Sequence, residues 1–386
     1  MERNIKLITI LNFCTDLAFY APIAIIYFSQ VAGSYTLGMG VFSIVMISSA
    51  IFEIPTGIFS DLIGRKNTVI LGSIAYFGAA VALALAQSFP VLAIAAVLEG
   101  LGRSFFSGNN DALLYDTLKQ YHQENKYHEF SGKTGSAFQI ALAVSAIIGG
   151  VIANWSFRLV FWISVIPRIG MILAGLFLKE PRVHSEKSGN AYDHLAHALS
   201  VFKNKSKLQL LITASAIKFS FGEAGYLFRS AFFYTLWPVW AIGIASTLSN
   251  IGAAASYYLS GRLINRFKSL NILIYETVSN RLITGFALFF PTVASPLLMS
   301  LPSLNFGVGQ VALNSLLQQE FTDAQRATLM SLGSLIKSIT FAGVALLLGA
   351  LADRFGPRNT LLFSQAMLLT PLIIYWLIFK HEHSRN

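Results

Sequence analysis

Apolar runs follow one another along the whole of this 386-residue chain, each near the roughly 20 residues that one helix needs to cross a hydrocarbon core. Twelve can be placed: near residues 5–28, 37–60, 68–87, 91–114, 134–153 and 158–178, then near 208–235, 238–261, 270–291, 295–318, 328–351 and 358–379. They are too long and too weakly alternating for the strands of a transmembrane barrel, which need only about ten residues each. Charged residues make up 12% of the chain and hydrophobic ones 54%, whereas a soluble chain carries about twice that charge. The expectation is an all-α polytopic membrane protein whose first partner is the lipid bilayer.

The formal net charge of +10 does not point to nucleic acid, because the basic residues sit in alternate loops and form no aromatic-basic surface module. Arg3 and Lys6, Arg65 and Lys66, Lys119 to Lys133, Lys179 to Lys207, Arg262 to Lys268, Arg326, Lys380 and Arg385 fall on one side. Only Arg158, Arg354 and Arg358 fall on the other. Both termini are therefore expected in the cytoplasm, with the chain integral to the cell's inner membrane. The first run is too long for a signal peptide and reads as a retained helix. Cys14 is the only cysteine, so disulfides and cysteine-based metal clusters are excluded. All seven histidines lie in loops or the tail, which weakens any histidine relay through the membrane; no metal or cofactor is expected.

Residues 179–207 form the only long polar stretch and divide the chain into two sets of six runs, 1–178 and 208–386. Within the divide Tyr192, Leu195, Leu199 and Phe202 recur at helical spacing, as in a helix lying on a membrane surface. The halves echo each other at a shift of roughly 200 residues, a parallel repeat. Gly57-Ile-Phe-Ser-Asp61 returns as Gly261-Arg-Leu-Ile-Asn265, followed by Arg266; Gly100-Leu-Gly102 returns as Gly307-Val-Gly309; Gly150-Val-Ile-Ala-Asn154 returns as Gly349-Ala-Leu-Ala-Asp353.

The connection between the second and third runs ends Gly57-Ile-Phe-Ser-Asp61-Leu-Ile-Gly64-Arg65-Lys66. Gly57 would let a neighbouring helix come close, and Gly64 supplies the freedom of a short turn. The pattern resembles the loop signature of the major facilitator superfamily, with Leu62 in place of one basic residue, and the repeat extends the resemblance over the chain. It implies twelve transmembrane helices in two pseudo-symmetric six-helix bundles, and transport by alternating access. It further implies an inner gate built from Gly57, Asp61, Gly64, Arg65, Lys66, Asp111, Asp116, Asn265 and Arg266. In it Arg65 pairs with Asp116 or Asp111, and Asp61 caps the helix start near Thr328. The segment Gly349–Arg358 looks even more like the signature, but the span count places it on the outer side.

Ionisable side chains inside a bilayer are functional candidates by default. Asp16 lies in span 1, Glu99 and Arg103 in span 4, Arg168 in span 6, Lys218 and Glu223 in span 7, Glu276 and Arg281 in span 9 and Lys337 in span 11. The resemblance implies a central cavity lined by spans 1, 4, 7 and 10. That ordering selects Asp16, Glu99, Arg103, Lys218 and Glu223, with Gln310 and Asn314 of span 10, as substrate and proton residues. It leaves Arg168 and Arg281 to structural or snorkelling roles. Glu99 and Arg103 share one helix face and can neutralise each other. A desolvated Asp16 would have the character that a proton-coupling carboxyl requires.

The implied activity is secondary active transport of a small organic solute by a monomer, powered by a proton gradient. Proton-coupled export, in the style of bacterial multidrug or metabolite efflux, comes first. Proton-coupled uptake of an anionic or amphipathic metabolite is the alternative, and a non-transporting receptor on the same fold is the alternative of another class. The span-4 signature lacks its arginine at Ala96, and the span-5 antiporter signature lacks its Gly-Pro before Gly149 and Gly150. No nucleotide loop or nucleophile–base cluster supports an enzyme.

Overall fold

The computed structural model describes residues 1–107, 109–181, 206–320 and 323–383. All its elements are helical. Helices α1 (Glu2–Asp16) and α2 (Ala24–Ala32) make span 1, α3 (Tyr35–Ile63) span 2 and α4 (Arg65–Leu85) span 3. Span 4 is α5 (Phe89–Phe106), followed by α6 (Asn109–Gln120); α7 (Tyr127–Ala153) and α8 (Phe157–Phe177) are spans 5 and 6. Spans 7 to 9 are α9 (Ser206–Phe233), α10 (Val239–Phe267) and α11 (Ser269–Phe289). Span 10 is α12 (Ser295–Leu298) with α13 (Ser303–Gln319), and α14 (Asp323–Met367) carries spans 11 and 12 around a kink at Gly356, completed by α15 (Thr370–His383). The amphipathic stripe from Tyr192 to Phe202 lies outside the described residues.

Helix ends follow local chemistry. Ser156 caps α8 by accepting from the Leu159 N–H at 3.3 Å. Pro90 sits in the first turn of α5, where its missing N–H is not needed.

One expected helix is broken. The run 5–28 stops at Leu17 (φ −78°, ψ 63°) and passes through a 3-10 turn, Ala21–Ile23, before α2 begins. Pro22 cannot donate four residues back, and in a continuous helix its ring would crowd the Ala18 carbonyl.

The described residues of Met1–Gly33, Val41–Ser188 and Val239–Thr247 form one compact unit, and those of Ser34–Gly40, Gly189–Pro238 and Leu248–Asn386 a second. The first is packed around an aromatic cluster that includes Tyr20, Tyr27, Phe28 and Phe161; the second around leucines with Tyr375. Outward-facing Ile51, Ile94, Ile166 and Leu282 are exposed, as suits a surface covered by hydrocarbon rather than water. The repeated Gly-x-Gly does the same work twice. Gly100 lies against Val45 and Ser48 of span 2 and Gly102 against Tyr76 of span 3, while Gly307 lies against Ser256 and Tyr257 of span 8 and Gly309 against Glu276 of span 9. Small residues there let helix backbones approach.

Candidate functional site

The break in span 1 leaves the last carbonyls of α1 without intrahelical donors, and buried carbonyls need partners. Arg168 of span 6, only 3% exposed, supplies one: its Nη1 donates to the carbonyls of Cys14 and Thr15 at 2.9 and 2.7 Å. Its guanidinium lies 5.2 Å from the centre of the Tyr76 ring. A cation at this position also meets the negative end of the helix dipole. Asp16, the last residue of α1, is half-buried. Among the described residues no hydrogen bond or ion pair reaches its carboxylate, although Arg168 and Arg103 are electrostatic neighbours.

Glu99 accepts from the Tyr20 hydroxyl at 3.3 Å and shares Arg168 and Arg103 as electrostatic neighbours. The expected Glu99–Arg103 pair is therefore open: Glu99 is bonded to Tyr20 of span 1, and the Arg103 side chain stays exposed. Two carboxylates, two guanidiniums and the phenols of Tyr20 and Tyr76 make up this first polar core. Arg168, expected only to support or snorkel, is its buried centre.

In the second unit Lys218 of span 7 is bound to Glu276 of span 9 at 2.5 Å, with side chains 14% and 5% exposed. Lys218, expected among the substrate and proton residues, thus has a carboxylate partner within its own unit. Arg281, Tyr257 and Tyr375 are electrostatic neighbours of Glu276. A side chain at Gly309 would overlap the Glu276 carboxylate, so the glycine in span 10 makes room for the pair. Glu223 is half-buried, with Arg229 nearby, whose guanidinium lies 4.0 Å from the centre of the Tyr226 ring. Asn314 and Lys337 line a cavity between spans 7, 10 and 11, while Gln310 is half-buried outside that lining.

The 2–3 turn is a hydrogen-bonded knot. Arg65 Nε lies 3.6 Å from Asp116, its Nη1 donates to Ser60 at 2.9 Å, and Ser60 donates to Asn109 at 2.9 Å. Of the two acids offered to Arg65, Asp116 is the partner; Asp111 is exposed and neighbours Tyr127. The start of α4 is capped by Glu180, whose carboxylate accepts from the N–H groups of Arg65 and Lys66 at 2.7 Å each. Nothing in the sequence spacing announced Glu180. Among the described residues no atom lies within 4 Å of where a Cβ on Gly57 would stand. Asn265 and Arg266 are exposed, and the side chains of Asp61 and Thr328 lie outside the described residues.

The look-alike segment has its own carboxylate cap. Asp353 accepts from the N–H groups of Tyr35 and Thr36 at 2.7 and 2.9 Å, at the start of α3.

The family model described as Major Facilitator Superfamily matches residues 7–343. An uncharacterised MFS-type transporter from Methanocaldococcus jannaschii is 22% identical over 390 residues, covering 98% of either chain. Among solved structures, a mutant of the nucleoside transporter NupG superposes with a TM-score of 0.83 at 14% identity, over 97% of this chain and 99% of the other. A D-xylose–proton symporter superposes with a TM-score of 0.75 at 15% identity, over 97% of both.

Proposed function

Since the chain belongs to the major facilitator superfamily, we propose that it is a proton-coupled exporter of a small organic solute, working as a monomer in the inner membrane with both termini cytoplasmic. The coarser statement stands on the family itself: a twelve-helix secondary transporter of small solutes in a lipid bilayer, and not an enzyme. The observation that carries the finer reading is Asp16. Its carboxyl ends a broken helix inside the bilayer-spanning core, among arginines yet bonded to none of them. Discontinuous helices are where transporters of this kind place ligand and ion sites, and an intramembrane acid kept out of a closed pair is available to bind and release a proton. Glu99, held by Tyr20, and Arg103 complete the proposed proton path. Arg65, Asp116 and the Glu180 cap belong to the proposed inner gate, with Gly57, Asp61, Gly64, Lys66, Asp111, Asn265 and Arg266.

The test is solute flux in proteoliposomes with and without an imposed pH gradient. Gradient-driven flux should fall by about tenfold or more in Asp16→Asn, the size of effect typical of a lost proton-transfer group. Flux indifferent to the gradient would sink proton coupling, and full gradient-driven flux in the variant would remove Asp16 from the path. Uptake of an organic anion is the second reading, favoured by the cavity at Lys337. The direction in which the gradient drives solute decides between them.

A further inference from the structure

Among the described basic side chains inside the spans, five have a carboxylate in electrostatic reach. Arg103 and Arg168 have Asp16 and Glu99, Lys218 and Arg281 have Glu276, and Arg229 has Glu223. Lys337 has none: no hydrogen bond, ion pair or carboxylate neighbour meets its ammonium among the described residues. It lines a cavity whose other polar members are Ser215, Asn314 and Gln318, with Ile212 and Leu329 as apolar wall. The Asn314 amide, exposed to that space, has no partner among the described residues either.

A cation in a spanning helix is costly unless a counter-charge meets it. A half-buried ammonium, an unbonded amide and a hydroxyl converging on one space, with no acid among them, are complementary to an anionic group carried on an apolar body. We propose that the second unit holds an organic-anion site, in which Lys337 binds the carboxylate or sulfonate of a small solute and Asn314 and Ser215 hydrogen-bond its oxygens. This deepens the transporter reading and rests on it for the word substrate. Lys218, by contrast, is already occupied by Glu276.

The experiment uses the full chain in a Cys14→Ala background carrying Asn314→Cys. Its probes are two thiol reagents of similar size, anionic sulfonatoethyl and cationic trimethylammonioethyl methanethiosulfonate, each rate normalised to a free thiol. With Lys337 present the sulfonate reagent should be favoured by about tenfold, the lower end of charge focusing in a low-dielectric cleft. The preference should disappear in Lys337→Gln and persist in Lys337→Arg. Lys337→Gln strands no carboxylate, so the fold should survive it, and a monodisperse gel-filtration peak checks that. An equal ratio with and without Lys337 would overturn the site. Charge preference in the labelled chain beside a wild-type chain that moves no solute would sink the transporter reading alone, and gradient-driven flux in the wild-type chain without charge preference in the labelled one would sink the anion site alone.

Discussion

Span 1 stops at Asp16 and restarts at Ala24, whereas span 7, its counterpart in the second half, runs unbroken from Ser206 to Phe233. The difference sets what each polar core must do. A broken helix exposes carbonyls, so the first unit uses Arg168 as a backbone cap, and its acids are left with hydroxyls and distant charges. An unbroken helix has its carbonyls satisfied, so the cation of span 7 needs only a counter-charge and closes on Glu276. Among the described residues neither Asp16 in the first unit nor Lys337 in the second is met by a hydrogen bond or ion pair. On the proposed reading, the unpaired acid serves proton exchange and the unpaired cation an anion, which would place coupling in one unit and recognition in the other.

The harshest way to break the comparison is to remove the cap. Arg168→Leu should lower stability by about 3–5 kcal/mol, as when one member of a buried charged network is lost, because two carbonyls and two carboxylates lose their nearest cation together. Thermal unfolding in detergent micelles checks this. Arg168→Lys should recover only part, since an ammonium cannot reproduce the guanidinium's planar fork. A wild-type unfolding midpoint for Arg168→Leu would mean the break in span 1 does not depend on the cap.

The second core should prove more forgiving. Glu276→Gln leaves Lys218 unpaired, but at 14% exposed that side chain retains some access to water; the expected loss is about 2–3 kcal/mol, below the range for a fully buried pair. The double variant Lys218→Met with Glu276→Gln should regain most of it, which a double-mutant cycle reads directly. If Glu276→Gln is the costlier change, or the double variant is no better than the single, the assignment of cap to one unit and counter-charge to the other fails.

The spans, the loop signature and the Gly-x-Gly repeat were legible in the sequence because apolar length and small-residue spacing are local. Pro22 was also in plain view, and it lies within the break in span 1. The site was legible only in part. Asp16, Glu99 and Lys218 stood out as intramembrane charges, but which cation meets which acid depends on how spans far apart in sequence pack. Glu276 and Arg168 were ranked below their neighbours because the cavity was expected to be lined by spans 1, 4, 7 and 10; both are buried, at 3% exposed. Arg229 bears the same intramembrane signal as the others. Glu180 and Asp353 cap helices remote in sequence, and an acid at a loop's edge gives no sign of which helix start it will reach.

The smallest expected effect tests the comparison at the turns. Gly64, between spans 2 and 3, has φ 89° and ψ 161°, and Gly356, between spans 11 and 12, has φ 75° and ψ 167°. The corresponding turn between spans 8 and 9 puts Lys268 in the same conformation, φ 64° and ψ 149°, a region open to glycine and strained by about 1–3 kcal/mol for any residue with a Cβ. Lys268→Gly should therefore raise stability by about 1 kcal/mol, after allowing roughly 0.5–1 kcal/mol for glycine's greater freedom when unfolded. Lys268→Ala removes the charge and keeps the Cβ, so it should leave the unfolding midpoint near that of the wild type. Equal gains from the alanine and glycine variants would trace the effect to charge in the loop. A gain from glycine alone would show that the second half forces a lysine into the backbone shape for which the first half uses Gly64.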